Sequence, residues 1–289
     1  MIFGEIESFV SLLERVIKPL KQHKVIKNND LISTRLVEIC EAHGVHRNQI
    51  PKILGSGLAL YDVKNDSTLL KKLDDDILNK AAELLGVNRD WLDGASNEIY
   101  PTYDFYKDSE GFQEFLTNKL NSGFELDGVL LTPTKNYKYH GALLLLQEKI
   151  GELNGNPYYR YYLCNNWRHN YWKSRVYLTT CISMCWLNKI YIRGLSVTPS
   201  YLESLANGTT LLNFKNDGIF NINGKSWYAE DMALLPDIFL KDLDPEYQKF
   251  GIKAGLSFWL EMHSLGFMNC GIENNDARLR FLKELEKYA

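Results

Sequence analysis

The stretch LVEICEAHGVHRNQIPKILGSG, residues 36–57, carries two short amphipathic patterns on either side of a Gly-Val corner. Ile39 and Cys40 supply apolar positions of the first pattern, Ile50 and Ile53 those of the second, and Gly44 and Val45 mark the corner. That order predicts two helices crossing steeply around a shared apolar contact. Cys40 is small enough for close approach, and Gly44 is free to take the positive φ of a tight corner.

Upstream, Phe9, Val10, Leu13, Val16, Ile17 and Leu20 recur at helical spacing, so a helix is expected over residues 6–23. Asp30 or Ser33 suits the cap of the next helix, over 34–43. The second pattern runs from about Arg47 to Leu54 and stops at Gly55-Ser56-Gly57. Residues 68–85 read as one or two helices with Leu69, Leu73, Ile77, Ala81 and Leu85 on the apolar face. The run AAELLGVNRDWLDG, residues 81–94, closes the segment with a second corner and Trp91.

These two segments, in this order and at this distance, resemble the helix-turn-helix domain of phage-repressor-like (XRE-type) transcription regulators, over about residues 8–94. The resemblance implies a DNA-binding transcription regulator, not an enzyme, acting without a cofactor as a homodimer on double-stranded operator DNA. It places the start of the second helix near His46, so that His46, Arg47, Asn48 and Lys52 would face the major groove. Arg can read guanine, Asn adenine, and Lys can reach phosphate. Pro51 fits only a helix that begins later, near Gln49, which would change that set. Residues 1–61 hold only two more basic than acidic side chains, and Asp74, Asp75 and Asp76 would have to point away from DNA. The alternative is a bundle that keeps the fold and serves protein interaction or ligand binding without touching DNA.

The net charge of −3 gives no overall basic field to draw the chain to nucleic acid or anionic lipid. The five cysteines are an odd count without framework spacing, so buried reduced thiols are expected; zinc would need more ligands near Cys181 and Cys185 than His169 supplies. The N-terminus lacks the basic start of a signal peptide, and no apolar run approaches the ~20 residues of a membrane span. A cytoplasmic protein without membrane contact is the expectation.

Composition changes after residue 96. We place a helix-turn-helix domain at 1–96, a linker at 97–110 containing the aromatic connector YPTYDFY, and an α+β sensing or dimerisation domain with a mainly antiparallel sheet at 111–289. In it, 111–120 suits a helix, and 127–132, 142–149, 158–164 and 211–214 have strand character. Asn154-Gly155-Asn156-Pro157 predicts a hairpin turn, and a second hairpin is expected over 218–227 around Asn223-Gly224. Residues 175–186 suit strand or helix, 199–206 a helix, and 245–262 and 276–288 two closing helices.

Residues 153–202 contain no Asp or Glu, yet hold Arg160, Arg168, Lys173, Arg175, Lys189 and Arg193 among eleven Tyr and Trp residues. Basic groups between aromatic faces suit a small anionic ligand or peptide, or single-stranded nucleic acid; core packing of a strand such as YYRYYL would use the same residues. The polar run NNWRHNYWKSR concentrates donors, and Trp167, Arg168, His169, Trp172 and Arg175 are the candidate ligand-binding set. No nucleophile elbow, phosphate loop or HExxH motif occurs. Ser183, Ser196 and Ser226 lack the setting of a self-cleaving peptidase. Glu230-Asp231 and Asp242 with Asp244 suit helix N-termini better than a metal site.

Overall fold

The apolar run 142–146 and the tyrosine-rich run 158–164 lie side by side in the middle of a sheet that is covered on both faces, which is why neither alternates with polar residues. The computed structural model describes residues 31–134, 139–272 and 276–288, so the helix expected over 6–23 lies outside the described residues. Six strands, β1 (Thr102–Asp104), β2 (Glu125–Pro133), β3 (Gly141–Leu153), β4 (Asn156–Arg168), β5 (Ile192–Val197) and β6 (Lys225–Tyr228), assemble in the order β1-β4-β3-β2-β5-β6. Asn154 and Gly155 join β3 to β4 with φ of 53° and 80°, the left-handed pair that a two-residue hairpin turn requires.

The sheet is mixed, which corrects the expected mainly antiparallel one: β1 runs parallel to β4 and β5 parallel to β2. For β5 the cause is the segment 175–186, whose β-branched residues suited either state. It belongs to a sixteen-residue helix, Trp172–Leu187, that carries the chain from β4 back across the sheet, and such a crossover is what parallel pairing needs. Two other strand expectations fail. Leu211, Leu212 and Phe214 are buried, but residues 211–214 form no strand, and the hairpin over 218–227 is instead a 3-10 segment, Lys215–Asn221, followed by β6, which pairs with β5.

The helices are α1 (Ile32–Ala42), α2 (Ile50–Leu54), α3 (Asp66–Leu70), α4 (Asp75–Leu85), α5 (Arg89–Asp93), α6 (Ser109–Asn121), α7 (Trp172–Leu187), α8 (Pro199–Ala206), α9 (Asp231–Leu234), α10 (Pro236–Leu240), α11 (Phe250–Ser264) and α12 (Ala277–Glu286). The span 68–85 is two helices because the Asp74 carboxylate caps α4 by accepting from the Ile77 N–H at 2.9 Å. Strand alternation sorts the core. Val129, Leu145, Tyr161 and Leu163 face the bundle α1–α5 and α8 in one continuous buried cluster. Leu130, Leu144, Tyr162 and Cys164 face α6 and α7. Beyond α7, Val176 joins Phe239, Leu256, Trp259 and Phe281 in a third layer with α10–α12. α7 is therefore enclosed nearly all round, as its largely apolar circumference demands.

The opening stretch is where the bundle meets the sheet. Gly44 has φ of 94°, and a Cβ there would come within 2.6 Å of the Pro157 carbonyl oxygen. The Tyr159 N–H donates to the His43 carbonyl (3.1 Å), and His43 Nδ1 donates back to the Tyr159 carbonyl (2.7 Å). On the other ring nitrogen, the Tyr100 hydroxyl lies 3.0 Å from Nε2. A second tie runs through Arg160, whose Nε donates to the Leu84 carbonyl at the end of α4 (2.9 Å) while its Nη1 meets buried Glu148. Among the described residues no helix is long and apolar enough to cross a membrane.

Candidate functional site

The residues expected to face DNA begin with a capped turn rather than a helix. The His46 N–H donates to the Gln49 side chain (3.0 Å), residues Arg47–Gln49 form a 3-10 turn, and α2 starts at Ile50 with Pro51 in its first turn. Five residues of α-helix span about 7.5 Å, short against a major groove about 12 Å wide. Arg47 is occupied: its Nε donates to the Val63 carbonyl (2.7 Å) and its Nη2 pairs with Asp66. That pairing, helped by the Thr34 hydroxyl at 2.9 Å, holds the Asp66 carboxyl below its ordinary range. His46, Asn48 and Lys52 are exposed. Residues 31–96 carry eight basic and ten acidic side chains, so the bundle presents no net positive field.

The second candidate set is split by the fold. Trp167 and Arg168 line a cavity of about 520 Å³ with Tyr106, Tyr139, Gly141, Asn165, Asn166, Tyr171 and Ser174. Trp167 is a wall: it is 2% exposed and its Nε1 donates to the Cys164 carbonyl at 3.0 Å. Arg168 is exposed at the rim, and among the described residues its guanidinium has no hydrogen bond or ion pair. Its backbone N–H is fixed by the Ser174 hydroxyl (2.8 Å), which ties the end of β4 to the first turn of α7.

The other three residues do not line this cavity. Arg175 is 1% exposed and saturated: Nε donates to the His169 carbonyl (2.8 Å), Nη1 to Phe239 O (2.9 Å), and Nη2 to Lys241 O (3.0 Å) and His169 Nδ1 (3.1 Å). It stitches α7 to the end of α10. His169 Nδ1 accepts from that guanidinium, so its proton sits on Nε2; burial first, then the charge of Arg175, pushes its pKa well down. Trp172 lies on another side of α7, in a separate cavity with Phe258.

A β-bulge shapes the cavity. Ala142 pairs with Trp167 and Leu144 with Cys164, so Leu143 alone opposes Asn165 and Asn166. Asn166 takes a φ of 67°, a conformation that Asn tolerates better than most residues. Its Nδ2 reaches Asp104 on β1 (2.6 Å), and Asn165 Nδ2 reaches the Ala206 carbonyl (2.6 Å). Sequence reasoning missed both asparagines and the tyrosines from outside the window, Tyr106 and Tyr139. The Asn-Asn pair interrupting an apolar strand was the available signal. Burial keeps the Tyr106 and Tyr139 hydroxyls above their ordinary range, so near neutral pH they are protonated and able to donate.

One guanidinium, three phenol hydroxyls, side-chain amides and flat apolar walls can hold an anion and the ring or chain attached to it. Among the described residues no three His, Cys, Asp or Glu side chains converge to hold a metal ion. Fold and cavity together define a mixed α/β protein with a helical bundle on one face of the sheet and an open polar–aromatic pocket at the end of β4. In comparisons with known protein families, curated proteins and solved structures, nothing matches the chain.

Proposed function

We propose that the chain is a ligand-binding protein whose cavity between β4 and α7 takes a small anion with a flat apolar body, and whose helix-turn-helix-like bundle flanks the sheet without reading DNA. The observation that carries this reading is Arg168, an exposed guanidinium without a partner among the described residues, at the rim of an aromatic-walled cavity of about 520 Å³. That volume falls within the ~300–1,000 Å³ of small-molecule sites, and a planar guanidinium favours a carboxylate or phosphate. A thermal-shift screen with aromatic and aliphatic carboxylates and phosphates tests it. A stabilising anion whose effect disappears in Arg168→Ala supports the reading; a hit indifferent to that substitution counts against it.

A second reading, a transcriptional regulator acting as a homodimer on operator DNA, is favoured by the exposure of His46, Asn48 and Lys52 around the start of α2. A salt-dependent mobility-shift assay separates the two. The regulator reading expects sequence-selective binding with a shallower salt slope in Lys52→Ala; the ligand-binding reading expects no selective binding at low salt. The five cysteines, all buried and free, fit a reducing compartment, and we place the protein in the cytoplasm.

A further inference from the structure

A second cavity, lined by α7 and α11 and sharing no residue with the one at Arg168, has a different chemistry. It encloses about 390 Å³ between the first turns of α7 and the middle of α11, and opens to solvent. Phe258 stands edge-to-face with Trp172 (centroids 6.2 Å apart, planes at 88°) and with Tyr177 (5.3 Å, 70°), so the rings form roughly perpendicular walls. Glu261 follows Phe258 by three residues and therefore shares its helix face. Its charge reaches the pocket: after burial, it is the cause that holds the Tyr177 hydroxyl above its ordinary range. Lys173 also lines the cavity, on the α7 wall, with its ammonium 5.6 Å from the Trp172 ring centroid.

Among the described residues neither Lys173 nor Glu261 makes an ion pair, with each other or with any other side chain. Two opposite, unpaired charges on one set of aromatic walls call for a ligand that carries both signs. A primary ammonium would seek acceptors for three N–H groups, and the cavity offers chiefly one carboxylate. A methylated ammonium has little such need and gains from ring faces.

We propose that this cavity binds a small betaine-like zwitterion, its methylated ammonium against Trp172, Tyr177 and Phe258 beside Glu261, and its carboxylate toward Lys173. The proposal is independent of the anion site, since none of these residues lines that cavity. Glycine betaine titrated into the full chain, followed by tryptophan fluorescence and calorimetry, is the direct probe. Saturable binding with Kd below about 10 mM is expected, weakened roughly tenfold by Glu261→Gln and by Lys173→Gln at unchanged melting temperature. Tetramethylammonium, which lacks the carboxylate, should bind more weakly and respond to Glu261→Gln but not to Lys173→Gln. No saturation by glycine betaine at about 50 mM, roughly five times the weakest Kd expected, overturns the proposal. So does binding that is unchanged in both variants, each of which alters an accessible side chain without disturbing the core.

Discussion

The corner at Gly44 and the rim at Arg168 are built from the same kinds of residue, tyrosines with a basic or imidazole group among them, yet they end in opposite conditions. At the corner every polar group of His43 is spoken for: its carbonyl and Nδ1 by the backbone of Tyr159, and its Nε2 by Tyr100. At the rim the Arg168 guanidinium has no partner among the described residues. Residue type marks both places as candidates; saturation distinguishes a joint from a site. Arg175 makes the same point close by in the chain, because four acceptors consume a guanidinium seven residues from Arg168.

The sharpest way to break that contrast is to delete a saturated group. Arg175→Ala leaves the carbonyls of His169, Phe239 and Lys241 without their donor in a buried setting, and should lower unfolding free energy by at least about 3 kcal/mol in urea titrations. Loss of less than about 1 kcal/mol would mean that the guanidinium is replaceable by water.

Next comes acid. Burial, the largest cause, lowers the His43 pKa to about 4, against about 6.5 for an exposed imidazole. As pH falls, the unfolded chain takes up this proton first, so the contribution of a neutral His43 is complete above pH ~6.5 and is lost toward pH ~4, amounting to about 3 kcal/mol. His169 is shifted in the same direction. Stability measured between pH 7 and 4.5 should therefore fall in the wild type, and His43→Gln should flatten the slope by about one proton, or about 1.4 kcal/mol per pH unit. An unchanged slope would show that His43 is solvated.

Gly44→Ala probes the close approach of bundle and hairpin. The left-handed φ alone costs about 1–2 kcal/mol in a residue with a Cβ, and contact with the Pro157 carbonyl adds to it, so a loss of about 2–3 kcal/mol in thermal or urea unfolding is expected. At the bottom of the scale, Arg168→Ala and Lys52→Ala should each change stability by no more than about 0.5 kcal/mol, because both side chains are exposed.

The short-range parts of the fold were legible in sequence. The corner at Gly44, the Asn154-Gly155 turn and the closing helices all announce themselves through residues with local conformational demands. The topology was not, because it depends on where α7 carries the chain. Val176, Thr179, Thr180 and Ile182 make its sequence look strand-like, and the two threonine hydroxyls are accommodated by donating to the carbonyls of Arg175 and Tyr177 on the same helix. The candidate site was half legible. The donor-rich run pointed to Trp167 and Arg168, but helical geometry sends Trp172 and Arg175 to other sides of α7. Tyr106 and Tyr139 reach the cavity only through tertiary structure.

The pocket reading depends most on Arg168 being a free group that recruits an anion. Calorimetric titration of the best-stabilising anion into wild type and Arg168→Ala, at matched salt, measures that directly. One site per chain is expected, with at least a tenfold loss of affinity in Arg168→Ala, about 1.4 kcal/mol, and an unchanged melting temperature. Equal affinity in the two proteins would contradict it.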